Sequence, residues 1–248
     1  MEADAGKLRS TLILEDGTVI HGRGFGYPSR LVGEVVFNTG MVGYTEALTD
    51  PSYRGQILCF TYPLVGNYGV PEYSFKDIFG LPRYFESDMI QVSGLIIHEL
   101  CDKPSHWTST RTLHEWLYSE KIPGIRGIDT RELTAKLRVK GVMMGALEVS
   151  EDRIDVDELR GELMKFPNYG MIDFVEKVSV KKPLAYDAEE RPVALIDCGV
   201  KYSIIRELLK RGLNVIRLPY DTSVEKILAY NPVGVVLSNG PGDPKTCR

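Results

Sequence analysis

From Pro192 onward the sequence alternates in a pattern that admits one architecture. PVALIDCG is an apolar strand. VKYSIIRELLKRG is a helix with Ile204, Ile205, Leu208 and Leu209 inward and Gly212 as its stop. NVIRLPY is a second strand, and GVVLSNG is a third. Between them, Thr222-Ser223-Val224-Glu225 resembles a capping box opening the helix VEKILAYN. A β-α-β-α-β run predicts a parallel sheet with right-handed crossovers. All three strands deliver their C-terminal ends to one edge, at Asp197-Cys198-Gly199, Tyr220-Asp221 and Gly240-Pro241-Gly242. Open α/β sheets bind ligands at that edge. Three strands and two helices make only about half a sheet of this type.

The loop after the third strand is chemically pointed. Gly240 and Gly242 can each take positive φ and let a ligand approach the backbone. Pro241 fixes its own φ and offers no N–H. Two amide donors are thereby held with little freedom, an arrangement suited to an oxyanion or a carboxylate. A rigid turn explains the same residues. Cys198, where a strand meets a helix N-terminus, stands where a thiol pKa can fall. Yet His21, His98, His106 and His114 all lie in the other part of the chain. Cys198 therefore reads as a small core residue, and His106 and His114 as packed or surface residues.

Before about Val149 the pattern is mixed and turn-rich. TLILEDGTVIHGRGFG reads as a hairpin around Asp16-Gly17. EVVFNT, QILCFTYP and QVSGLIIHEL read as further strands. In TSTRTLHEWLYSE, Leu113, Trp116 and Leu117 share one face. In IDTRELTAKLRVKG, Asp129 is an N-cap candidate with Glu132 three residues on, Leu133 and Leu137 share a face, and Gly141 can close the end in a left-handed conformation. His21-Gly22-Arg23-Gly24-Phe25-Gly26 follows a hairpin strand, opens no helix and lacks dinucleotide-loop spacing, so it is rejected as a nucleotide site. There is no P-loop. Residues 150–191 are more polar: SEDRIDVDELRGELMKF predicts one amphipathic helix, and KKPLAYDAEERP reads as a linker.

Composition excludes several classes. With 248 residues the chain can bury roughly 70–75% of its unfolded surface without a disulfide or metal. Lys+Arg is 30 against Asp+Glu 34, and no basic run occurs, which argues against nucleic acid. Cys59, Cys101, Cys198 and Cys247 form no Cys-x-x-Cys pair and have no His at metal-ligand spacing, so they read as reduced cytosolic thiols and no metal site is expected. No apolar run approaches the roughly 20 residues of a membrane span.

Two stretches together resemble a known family. EVVFNTGMVGYTEALTDPSYRGQILCFTYPLVGNYG, and ALIDCGVKYSIIRELLKRG with LSNGPGDP, are similar to the small, glutamine-hydrolysing subunit of carbamoyl-phosphate synthetase. GIDTRELTAKLRVKG fits as well, and the resemblance runs from about Leu12 to the last residue. FGLPRYFES and PSHWTSTRTLHEWL look most like the versions fused into multifunctional eukaryotic pyrimidine enzymes.

The resemblance implies a β/β/α domain over 1–150, a linker with an amphipathic helix over 151–191, and over 192–248 the first half of a class I glutamine amidotransferase domain, a flavodoxin-like parallel sheet. It implies L-glutamine as substrate and a large subunit, or fused synthetase domain, as partner. That component would hold ATP and Mg, no cofactor being expected in this chain, and the setting would be cytoplasmic. In the family a cysteine thiolate attacks the glutamine amide, a His acts as base and a Glu orients it. Carried over by residue, Gly240 matches the loop glycine whose N–H contributes to the oxyanion hole. Gly240 and Gly242 match glutamine-contacting positions, and Ser52 matches a serine reaching glutamine from the N-terminal domain. Read without the family, Ser52 is a turn-former after Asp50-Pro51.

The nucleophile elbow Gly-Ile-Cys-Leu-Gly-His-Gln expected after GPGDP, with the later His and Glu, does not occur. Cys247 lies too close to the loop to replace it. Nucleophile, base and orienter are therefore expected beyond Arg248. The expectation is the front part of the protein, inactive alone, with an unprotected edge at GVVLSNG. A non-catalytic scaffold of an ammonia-dependent synthetase, and a module binding a small anion at the strand ends, are the competing readings.

Overall fold

The structure, a computed structural model, describes residues 7–167, 169–186 and 191–246. Cys247 and Arg248 lie outside the described residues, and so do the nucleophile, base and orienter expected beyond Arg248. Strands β1 (Arg9–Leu14) and β2 (Val19–Gly26) form the expected hairpin, with Ile13 opposite Val19. Its turn is held by Gly17 at φ +86° and by the Thr18 amide donating to Asp16 Oδ1 at 3.0 Å. There follow β3 (Arg30–Asn38), α1 (Tyr44–Leu48), β4 (Gln56–Phe60), β5 (Leu64–Val65), β6 (Gly94–Ile96), β7 (Glu99–Leu100), α2 (Leu113–Ser119), β8 (Pro123–Arg126), α3 (Thr130–Lys140) and β9 (Met143–Ser150). Among the described residues, seven of these strands close into a barrel in the order β1-β2-β8-β6-β4-β3-β9. Closure is made by β1 against β9, antiparallel, with Arg9 opposite Ser150. The β/β/α expectation thus resolves into a mixed barrel with helices packed on it.

Alternation along the strands sorts the apolar side chains. Leu12, Leu14, Val35, Ile57, Cys59, Ile96, Ile125, Met143 and Leu147, drawn from around the barrel, form one buried cluster with Leu133 and Leu137 of α3. Burial pushes the Cys59 thiol up to about 12, so it is an inert packing group. Phe25, Leu58, Phe60 and Leu95 meet Leu113, Trp116 and Leu117 of α2 in a second cluster. The glycines of HGRGFG serve strand contact: a Cβ on Gly22 would lie 2.6 Å from the Arg126 carbonyl, and one on Gly24 would lie 2.9 Å from that of Arg9. Asp129 caps α3 as expected, accepting from Arg131 and Glu132 amides. Gly141 has φ +90° but ψ −171°, so α3 ends in an extended turn and not a left-handed one. The chain must enter β9 two residues later, which leaves no room for a further coil.

The polar region gives α4 (Val156–Lys165), which starts where the Asp155 carboxylate accepts from the Asp157 and Glu158 amides. Its Leu159 and Leu163 pack on Ile13 and Ala146. Then come α5 (Val175–Val178), β10 (Leu184–Tyr186), β11 (Val193–Asp197), α6 (Tyr202–Lys210), β12 (Val215–Pro219), α7 (Val224–Ala229) and β13 (Gly234–Leu237). β11 pairs in parallel with β12 on one side and β13 on the other, and β10 adds antiparallel to β12. Part of the expected linker is therefore an edge strand. Three residues are too few to show a period, and what specifies them is the free side of β12. The expected capping box is also corrected. Ser223 is the N-cap of α7, and the Thr222 hydroxyl donates instead to the Pro219 carbonyl at 2.7 Å.

One side of this sheet stays open. Ile205 and Leu209 of α6 are buried, whereas Ile204 and Leu208 are only half-buried. β13 is the other edge of the sheet, with Val235 54% and Leu237 75% exposed. Such an apolar, unpaired edge invites association with other chains. Changing Val235 and Leu237 together to Lys is expected to lower hydrophobic-dye binding and aggregation of the chain without lowering its melting temperature. Dye binding as strong as before would place the sticky surface elsewhere.

Candidate functional site at the strand ends

The strand ends form a compact polar corner. β11 finishes at Asp197, which is fully buried and paired with Arg217 of β12 at 2.8 Å. Burial is the largest influence and works against the Arg217 charge, but Asp197 and Tyr186 together, by charge and hydrogen bond, hold the guanidinium above its usual range. β13 continues into the glycine loop by one ladder bond, Ser238 amide to Ile196 carbonyl at 3.1 Å. The Ser238 hydroxyl accepts from the Cys198 amide at 2.9 Å and donates to the Asn239 carbonyl at 2.7 Å. Gly240 is pressed on the neighbouring turn so closely that a Cβ there would lie 1.9 Å from the Cys198 carbonyl oxygen. Pro241 is buried, and Gly242 has φ +76°. Of the two glycines expected to take positive φ, only Gly242 does. Gly240 is a glycine because nothing larger fits.

Ser52 arrives from the barrel domain. It sits in a short 3-10 turn, Pro51–Tyr53, whose Asp50 carboxylate accepts the Ser52 amide at 2.9 Å. The turn reading of Ser52 is therefore right. The hydroxyl is also within reach of the loop: Asn239 Nδ2 donates to Ser52 Oγ at 2.7 Å. Thus Ser52 meets the loop at Asn239, next to Gly240, while Gly242 lies further along the same loop beside Phe174 and Ile172. Removing the contact from one side, as Ser52→Ala or Asn239→Ala, is expected to cost about 1 kcal/mol, with non-additivity in the double variant. Additive losses in denaturant titrations would show that the two side chains do not interact.

Further residues belong to this corner and were not singled out in the sequence. Lys201, at the N-cap of α6, places its ammonium 3.6 Å from Asp50. Its side chain has no capping role, and α6 is capped instead by the other domain. The Glu86 carbonyl accepts the Tyr202 amide at 3.0 Å, and the Glu86 carboxylate accepts the Ser203 amide at 2.8 Å. Burial nevertheless pushes the Glu86 carboxyl above the usual range. Leu81 and Phe79 of the same barrel-domain excursion pack on Leu195, Val200 and Ile205. Lys201 and Asn239 line a depression of about 610 Å³ that continues over Ile204 and Leu208.

Cys198 is half-buried and packs with Ala194, Ile196, Ile216 and Leu218. His114 Nδ1 accepts the Gly26 amide, His21 meets Thr11, and His98 meets the Ile128 carbonyl. Each is occupied within the barrel domain. Among the described residues no cluster of His, Cys, Asp and Glu could hold a metal ion, and no helix is long and apolar enough to cross a membrane.

A closed barrel followed by a sheet whose β11, β12 and β13 run parallel, with a glycine loop at the strand ends and a serine brought to it from the barrel, is an α/β architecture in which two unlike parts of the chain meet at one polar corner. Comparison with known sequences specifies the class. Residues 12–147 match the family described as carbamoyl-phosphate synthase small chain, CPSase domain, and residues 194–248 match class-I glutamine amidotransferase. The carbamoyl phosphate synthase small chain of Methanopyrus kandleri is 47% identical over 97% of this chain. That of Pyrococcus furiosus is 48% identical over 94%. The arginine-specific small chain of Chaetomium globosum is 45% identical over 99%. The chain belongs to the carbamoyl-phosphate synthase small-chain family. It spans 64% of the length of the Methanopyrus relative, 62% of the Pyrococcus one and 52% of the Chaetomium one.

Proposed function

We propose that this chain forms the glutamine-holding wall of a glutamine-hydrolysing carbamoyl-phosphate synthase. Gly240 supplies a backbone N–H to the oxyanion formed when the glutamine side-chain amide is attacked, and Ser52 and Gly242 contact the substrate. The ammonia released passes to a large synthetase component that uses ATP and Mg to make carbamoyl phosphate from bicarbonate. Residues beyond Arg248, in the remainder of the amidotransferase domain, supply nucleophile, base and orienter. The observation that carries this reading is the meeting of Ser52 with the Ser238–Gly242 loop through Asn239. The family match over both parts of the chain supports it. The setting in this reading is cytoplasmic.

The chemistry asks little of the chain beyond rigid donors. An amide aimed at a developing oxyanion is worth about 10²–10³ in rate once water is excluded from it. The test is carbamoyl-phosphate formation by the protein that carries this chain together with its synthetase component. Glutamine is expected to support synthesis, and Ser52→Ala to raise the KM for glutamine while leaving ammonia-supported synthesis unchanged. Synthesis from ammonia alone, with glutamine inert in the unaltered protein, would make the chain a scaffold.

A further inference from the structure

The Asp197 carboxylate is the most heavily engaged polar group at the corner. Its Oδ1 accepts the amides of Gly199 at 3.0 Å and Val200 at 2.8 Å. Its Oδ2 accepts Arg217 Nε at 2.9 Å and Nη2 at 2.8 Å, and the Val180 amide at 2.7 Å. One fully buried side chain thus fixes three segments: β12, the stretch after α5, and the turn that follows β11. A buried ion pair is a weak device for stability, because desolvating both charges offsets their attraction. What it supplies is direction, since each lone pair accepts from one side only.

The direction is transmitted by contact. Gly199, whose amide Asp197 holds, has φ +120°. A Cβ on it would lie 3.0 Å from Pro241 Cδ, 3.2 Å from Gly240 Cα and 3.0 Å from Val178 Cγ2. The preceding carbonyl, of Cys198, is the one pressed against Gly240. The Cys198–Gly199 peptide is therefore the floor on which Gly240 and Pro241 rest. Moving that peptide by a few tenths of an ångström moves the Gly240 N–H.

We propose that Asp197, clamped by Arg217, is the positioning residue of the Gly240 amide: it sets the Cys198–Gly199 peptide, and that peptide sets where the amide points. The consequence for catalysis rests on the glutaminase reading above. The structural half does not. Asp197 touches neither substrate nor reacting atoms, and its effect should fall on the transition state, where the oxyanion exists, more than on binding.

The test has two arms. In the isotopically labelled 248-residue chain, Asp197→Asn is expected to shift the Gly240 and Gly242 amide resonances and speed their exchange, while Gly94 and Gly145 of the barrel stay in place. In the protein carrying this chain with its synthetase component, the same change is expected to lower kcat for glutamine about 10²-fold. KM should stay within threefold and ammonia-supported synthesis should be unchanged. If Asp197→Asn does not fold, Gly199→Ala decides: it keeps the ion pair, pushes directly on Pro241 and Gly240, and should give the same kcat loss. Unmoved Gly240 and Gly242 amides in folded Asp197→Asn, or an unchanged kcat in either variant, would overturn the proposal. If the unaltered protein does not hydrolyse glutamine, the functional reading falls, and the amide resonances alone then judge the positioning.

Discussion

Under the proposed function, Gly240→Ala in the protein that carries this chain is expected to abolish most glutamine hydrolysis, lowering kcat by at least about 10²-fold with ammonia-supported synthesis intact. The argument is steric before it is chemical. The added methyl would lie 1.9 Å from the Cys198 carbonyl oxygen, a backbone atom tied into the turn beside β11. A backbone neighbour cannot swing away as a side-chain tip can, so the loop itself must lift. A displacement on the order of 1 Å at a catalytic donor is enough for such a loss. Gly242→Ala makes the internal comparison. Gly242 needs its positive φ of +76°, but a Cβ there would meet nothing closer than 3.5 Å. Its penalty is a conformational strain of about 1–2 kcal/mol, with a smaller effect on rate. If Gly240→Ala retains kcat within threefold in a folded protein, the Gly240 amide is not an oxyanion donor.

Arg217→Met should be the most destabilising single change at the corner, costing about 3–5 kcal/mol. Methionine fills the volume of the side chain but leaves Asp197, fully buried, without its cation. The amides of Val180, Gly199 and Val200 still donate to the carboxylate, yet they carry no net charge. Replacing both partners at once, Asp197→Leu with Arg217→Met, should recover little of that stability: no unpaired charge remains, but the amides of Val180, Gly199 and Val200 lose their acceptor. The same double variant should not recover glutamine turnover, because an apolar pair fixes no direction for the Cys198–Gly199 peptide. Chemical denaturation of both variants measures the first expectation and steady-state kinetics the second. A loss below about 1 kcal/mol for Arg217→Met would mean that water reaches Asp197.

Much of the fold was legible because its signals are local. Asp16-Gly17 marked the first hairpin, Leu113, Trp116 and Leu117 marked α2, and the alternation after Pro192 marked a parallel sheet that the structure shows. Barrel closure was not legible. Period-two alternation says that a strand has a buried face, but not that β1 pairs with β9, and no local term encodes that pairing. The cap of α6 was invisible for the same reason: Lys201 is an unremarkable N-cap, and the carboxylate that serves the helix comes from Glu86. At the corner, Gly240 and Ser52 emerged from the family resemblance, whereas Asn239, which joins Ser52 across the chain, lay unnoticed inside the motif. Thr222 misled because a hydroxyl followed three residues later by Glu also suits a turn, and the Pro219 carbonyl was the nearer partner.

The pairing of β1 with β9 also sets the order in which this protein can become itself. On the ribosome the chain emerges N-terminus first, at about 5–20 residues per second. Arg9 appears early, but its partner Ser150 comes only when the whole barrel domain has been made. Until then β1 has β2 on one side and an open edge on the other, and β3 waits for β9 as well. Until β8 is made the nascent barrel is two separate pieces, β1-β2 and β3-β4-β6, each with unsatisfied margins, and several seconds of synthesis pass in that state. The loop closure that ends this exposure spans nearly the whole domain, which makes it slow relative to local hairpins and helices. Cells making this protein would therefore have their greatest need of a holding chaperone between the translation of β3 and of β9.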